Sequence, residues 1–161
     1  MRDSDSDFVE RLARDFPEVE FRRKARKFSF RLYAGKPVVF LGEPQPNFAL
    51  LTLHELGHAL CKHKDYTTDV QRIKIEYEAW ERAKMVILDY RKKAFAEDGG
   101  VIDEKLAEML PKWDEELVQE KLDTYRDWLH AKSKCKSCGL TRYQTEGGDY
   151  HCPRCEAFLA R

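Results

Sequence analysis

His54-Glu55-Leu56-Gly57-His58, preceded by the apolar run Phe48-Ala49-Leu50-Leu51, decides how the rest of this chain is read. On a helix, histidines at i and i+4 point to the same side and can share one Zn²⁺. Glu55 then lies beside the metal, placed to take a proton from a bound water. Leu53, Leu56, Ala59 and Leu60 give the helix a buried surface, and Gly57 lets another backbone approach closely.

A catalytic zinc needs a third protein ligand and one open position. In Ile75-Glu76-Tyr77-Glu78-Ala79-Trp80-Glu81-Arg82-Ala83, residues Glu76, Ala79 and Ala83 stand at i, i+3 and i+7 and share one helix face. The alanines are small enough for that face to lie against the HExxH helix, which brings Glu76 to the metal. Glu78 lies about 200° further around the helix and is the second choice; Asp65 and Asp69 are weaker options.

With these residues in view, His54 to Ala83 resembles the gluzincin pattern of HExxH followed by a helix bearing Glu-x-x-Ala. Within that clan it is most similar to the ImmA/IrrE-like metallopeptidases, although Trp80 stands where that family carries Asn or Asp, and Arg82 where it carries Phe. The resemblance implies an α+β, zincin-like helical core with a small β-hairpin or sheet. It also implies His54, His58 and Glu76 as ligands, Glu55 as the base, and a regulatory protein as substrate.

A second site closes the chain. Cys135-Lys136-Ser137-Cys138 and Cys152-Pro153-Arg154-Cys155 are two CxxC pairs, each able to present two thiolates from a tight turn. Together they predict a Cys₄ zinc ribbon: a strand near Leu140 to Tyr143, a turn at Gly147-Gly148, and a return strand at Tyr150 and His151. Four thiolates leave no open position, so this second zinc is expected to be structural. Two disulfides are the alternative use of such pairs. Cys61, on the HExxH helix, is expected to be a buried, inert thiol.

Composition sets the outer limits. A chain of 161 residues accommodates one compact domain and a small module, placed here at 1–131 and 132–161. Its formal net charge of +0 argues against a generally basic nucleic-acid binder, and 36% charged residues imply long exposed helix faces. No apolar run is long enough to cross a bilayer. The acidic start (Asp3, Asp5, Asp7) is unlike a secretory n-region, so a cytoplasmic location is expected.

Along the chain, Ser4 or Ser6 is expected to cap a first helix ending near Phe16, before Pro17. Lys27–Tyr33 and Pro37–Leu41, joined by Ala34-Gly35-Lys36, predict a hairpin. Asn47 is placed to cap the HExxH helix. A second helix is expected from Asp69 to about Ala96. Asp103 should cap a third helical region that Pro111 interrupts and that reaches about Ala131.

The expected activity is that of a zinc endopeptidase acting on a cytoplasmic regulatory protein, with a protein or peptide as substrate. Tyr66, Tyr77 and His63 are candidates for oxyanion stabilisation; Asp65, Asp69, Glu78 and Glu81 are candidates for supporting the histidine ligands. One alternative is a SprT/Spartan-like protease acting on DNA-associated proteins, since that group also pairs HExxH with a C-terminal zinc ribbon. Another is a non-catalytic adaptor that contacts DNA or protein through its ribbon, helped by Arg22, Arg23, Lys24, Arg26, Lys27, Arg31, Arg142 and Arg154.

Overall fold

Ala34 and Gly35 both adopt positive φ, 50° and 80°, the conformation a tight two-residue hairpin turn requires. They join β2 (Ser29–Tyr33) to β3 (Lys36–Leu41) in antiparallel register, with Phe30 opposite Val39. The computed structural model, which describes residues 3–23 and 26–159, adds a strand that the sequence did not announce. It is β1 (Glu20–Arg23), which pairs parallel to the other side of β3, giving the order β1-β3-β2. Val38 to Leu41 are buried, as expected of a central strand that reads as a continuous apolar run.

The helices are α1 (Asp3–Asp15), α2 (Phe48–Leu60), α3 (Asp69–Ala94), α4 (Glu104–Met109), α5 (Glu115–Ser133) and α6 (Pro153–Leu159). Strands β4 (Tyr143–Gln144) and β5 (Tyr150–His151) pair antiparallel near the C-terminal end. The result is a mixed α+β architecture with small sheets and a C-terminal cysteine cluster. None of the described helices is long and apolar enough to cross a membrane. Ser4 and Ser6 lie inside α1, not at its cap. Asn47 occupies the cap position of α2, but its side chain makes no capping hydrogen bond. Asp103 does cap α4, accepting from the Leu106 N–H at 2.9 Å.

The chain divides into two compact units, Met1–Lys64 with Glu78–Asp114, and Asp65–Tyr77 with Glu115–Arg161; α3 runs continuously through both. In the first unit Phe8 and Leu12 of α1, Val38 to Leu41 of β3, the apolar face of α2, and Trp80, Ala83, Ile87 and Tyr90 of α3 are buried. Gly57 of α2 meets the Ala79 carbonyl of α3, where an added methyl group would overlap backbone. Ala79 and Ala83 are themselves fully buried, so three small residues set the helix spacing.

The second unit is organised around Asp69 at the start of α3. Its buried carboxylate accepts from Tyr150 Oη at 2.7 Å and pairs with Lys132 Nζ at 2.6 Å, while its N–H donates to Gln144 at 2.7 Å. Arg72, one turn later, lies over the rings of Tyr125 (5.2 Å) and Trp128 (5.0 Å) of α5. Cation–aromatic contacts and a buried carboxylate thus join α3, α5 and the cysteine module.

Two outcomes are expected. Gly57→Ala should cost about 1–3 kcal/mol in urea unfolding through overpacking, despite alanine's better helix propensity. Desolvation alone would raise the Asp69 pKa, but Lys132 and Tyr150 outweigh it and hold it below the ordinary value. A carboxylate depressed on folding stabilises above its unfolded pKa of about 3.9 and loses that contribution as pH falls through the folded value. Asp69→Asn should therefore lower stability at pH 7 by about 1–3 kcal/mol, with the difference from wild type narrowing in acid on a pH series of melting curves.

Candidate metal centres

The first centre begins on α2. Successive turns of the helix stack His54 and His58 on one side, and both rings are buried. Their Nε2 atoms stand 3.3 Å apart. A tetrahedral zinc with Zn–N bonds of about 2.05 Å holds two ligand nitrogens about 3.3 Å apart, so the pair already has the separation of two ligands to one ion. On α3, Glu76 is three residues before Ala79, and its carboxylate completes a group in which one ligand atom from each of His54, His58 and Glu76 lies within 4.8 Å of the others. These donors leave a fourth position of a tetrahedral ion for a water or substrate atom.

Aromatic rings hold the histidines in place. Trp80 stacks on His54 with centroids 4.1 Å apart and planes 24° apart. Phe30 of β2 lies parallel to His58 at 6.1 Å, with 8° between the planes. Trp80 is thus not an idle departure from the Asn or Asp of the resembled family: it is the buried wall behind a ligand candidate. Glu55 is half-buried on the same helix.

His63 takes a different position from the one most readily read in sequence, while Glu78 stands among the expected supports of the histidine ligands. His58 Nδ1 is 2.9 Å from His63 Nδ1, and His63 Nε2 is 3.2 Å from Glu78 Oε2. His63 is buried behind His58, and Glu78 lies behind His63. Sequence proximity alone groups His63 with Tyr66 and Tyr77. Of those, Tyr77 is exposed and Tyr66 is a platform for Arg72. Asp69 is committed to Tyr150 and Lys132. Cys61 is exposed at the end of α2, contrary to the expectation of burial: the helix ends at Leu60, and Cys61 is the capping residue just beyond it.

The second centre is the Cys₄ group. Ligand sulfurs of Cys135, Cys138, Cys152 and Cys155 lie within 4.8 Å of one another. The Cys135–Cys155 and Cys138–Cys152 separations are 3.8 and 3.5 Å. Zn–S bonds of about 2.3 Å in a tetrahedron put sulfurs about 3.8 Å apart. The first turn closes through Gly139, at φ 73°, whose N–H donates to the Cys135 carbonyl. The second opens α6, with Pro153 at its first position. N–H groups of Cys138 and Ser137 aimed at the Cys135 sulfur bring its thiol down to about 6. The adjoining sulfurs, Cys152 first, push Cys155 up to about 12. Four sulfurs this close ionise together only when a cation balances them, so geometry and charge both suit a divalent ion. His151 belongs to β5 and bonds Glu156 at 2.6 Å, outside the group.

The basic residues are partly spent internally. Arg22 bonds Glu20 at 2.5 and 3.0 Å, and Arg142 lies over the Tyr150 ring and donates to the Lys132 carbonyl. Lys24 lies outside the described residues.

No family model matches this chain, and no curated protein or solved structure is significantly similar to it. The chemistry of the two donor sets therefore carries the functional argument. Purified protein is expected to contain two divalent ions per chain, one for each group, and His54→Ala should leave one, read by elemental analysis against protein concentration. One ion in the wild type would remove a centre.

Proposed function

We propose that this chain is a zinc-dependent endopeptidase of gluzincin type, with a zincin-like core and a structural zinc ribbon. The observation that carries the reading is the 3.3 Å separation of two buried imidazole Nε2 atoms on an HExxH helix with a carboxylate beside them. A purely structural centre would use a closed donor set like the four cysteines. Here three protein donors leave room for a reacting atom.

When bound, the ion supplies Lewis-acid chemistry, acidifying a water and polarising a carbonyl. The chain's own residues do the rest. His54 and His58 would hold the ion through Nε2, and Glu76 would hold it through its carboxylate. Glu55 would take a proton from the water at its carboxylate as the water oxygen bonds to the peptide carbonyl carbon, and would pass that proton to the amine nitrogen as the C–N bond breaks. Trp80 and Phe30 exclude solvent from the ligand rings.

The sheet supports a peptide as the substrate. β2 forms an edge of the order β1-β3-β2 and carries Phe30 beside His58. An extended peptide can add to such an edge through main-chain hydrogen bonds, which reads backbone more than side chains. A flexible segment of a cytoplasmic regulatory protein suits that mode. Action on DNA-associated proteins, or a role as a DNA-binding adaptor, is less favoured because Arg22 and Arg142 are engaged within the chain.

Glu55→Gln tests the reading. The variant should retain both ions and lose proteolysis of a labelled unfolded protein by roughly 10²–10⁴-fold. Full activity in that variant, or none in a wild type carrying both ions, counts against the proposal. Glu76→Ala should empty the first centre and leave the ribbon loaded.

A further inference from the structure

We propose that His63 and Glu78 form a relay that fixes the tautomer of His58 and strengthens its grip on the metal; the idea rests on the metal-centre reading above. Donor and acceptor roles along the chain of side chains lead to it. A histidine that binds a metal through Nε2 carries its proton on Nδ1. His58 Nδ1–H must therefore donate, and the atom it faces at 2.9 Å is His63 Nδ1. That atom accepts only if His63 is protonated on Nε2. The His63 Nε2–H then faces Glu78 Oε2 at 3.2 Å, an obligate acceptor. Each nitrogen has one role and the roles agree from carboxylate to metal face. The carboxylate draws on the His63 proton, makes His63 Nδ1 a better acceptor, and so raises the basicity of the His58 ligand atom.

The backbone supplies an independent observation. Helix α2 ends in a paired turn: the His63 N–H donates to the His58 carbonyl at 3.1 Å, and the Lys62 N–H donates to the Ala59 carbonyl at 3.1 Å. This is the Schellman arrangement, whose left-handed position is usually glycine. Here Lys62 holds it at φ 55°, at a conformational cost that a glycine would avoid. The turn directs the chain back along its own helix and sets His63 against His58. Because His63 is buried and Glu78 is anchored on α3, the relay ties the end of α2 to a second helix.

Tests use the full chain, with the ribbon ion counted separately. Zinc affinity of the first centre, measured by competition with a chromophoric chelator, should fall roughly 10- to 100-fold in His63→Phe, the range found for removing such outer partners. It should fall less in Glu78→Gln, whose amide oxygen still accepts. His63→Asn, whose side-chain oxygen can replace Nδ1 as acceptor, should recover part of the loss. A general packing role would not produce that order. In the ¹⁵N-labelled, zinc-loaded protein, a coupling across the hydrogen bond between His58 Nδ1 and His63 Nδ1 should be visible, and it should vanish in His63→Phe. Equal affinity in wild type and His63→Phe, or no coupling in the wild type, overturns the proposal. If the wild type takes zinc only in the ribbon, the metal reading fails first; the coupling, measured on that same protein, then decides whether the His63 relay stands.

Discussion

The close approach of α2 and α3 is the constraint on which the first centre depends. An HExxH helix by itself offers two ligands, and the third has to come from another element held at a fixed distance. Gly57 on one helix and Ala79 and Ala83 on the other remove the side-chain bulk that would otherwise separate the backbones. With the helices that close, Trp80 lies nearly flat, and the surface it covers is His54. A residue that breaks the pattern of the resembled family is therefore explained by the packing that the small residues permit. The same spacing sets the carbonyl end of α2 near the middle of α3, within reach of Glu78.

Burying three imidazoles in one small region is costly unless each nitrogen has a use. His54 and His58 share a metal-facing side, and His58 and His63 share the other. From His58 Nδ1 through His63 to Glu78 the polar groups are arranged in series, and bonds in series strengthen one another in a buried setting. Rings on either side, Trp80 and Phe30, restrict the rotations that would break the series. Rigid ligands reduce the ordering that metal binding would otherwise require, so packing and affinity have the same origin.

What was legible in the sequence was local. The two i, i+4 histidines, the Glu-x-x-Ala face, the Ala34-Gly35 turn, the Asp103 cap and the CxxC pairs all declare themselves within a few residues, because helix period, turn conformation and ligand spacing are short-range properties. What was not legible depended on partners far away in the chain. β1 has one apolar residue among charges, and its parallel pairing with β3 has no local signal. The role of Asp69 required Tyr150 and Lys132, both far along the chain. His63 stands among the candidates by proximity, but its role turns on Lys62 adopting a left-handed conformation usually left to glycine. Cys61 reads as buried because its helix is apolar; the helix ends one residue too soon.

The two donor sets also divide the labour between them. Four cysteines saturate a tetrahedral ion and leave nothing to react, so their value lies in ordering a segment too small to build a core of its own. Two histidines and a carboxylate are harder donors and one fewer, which on the proposed reading leaves a place for water and substrate on an otherwise fixed ion. The difference also governs what surrounds each site. The cysteine cluster is supported by backbone N–H groups of its own turns, which need no distant partner. The histidine centre is supported by side chains drawn from β2, α3 and the turn after α2. A centre whose fourth position must stay open cannot be tightened by adding a ligand, so its remaining means of holding an ion firmly are the orientation and basicity of the ligands it has.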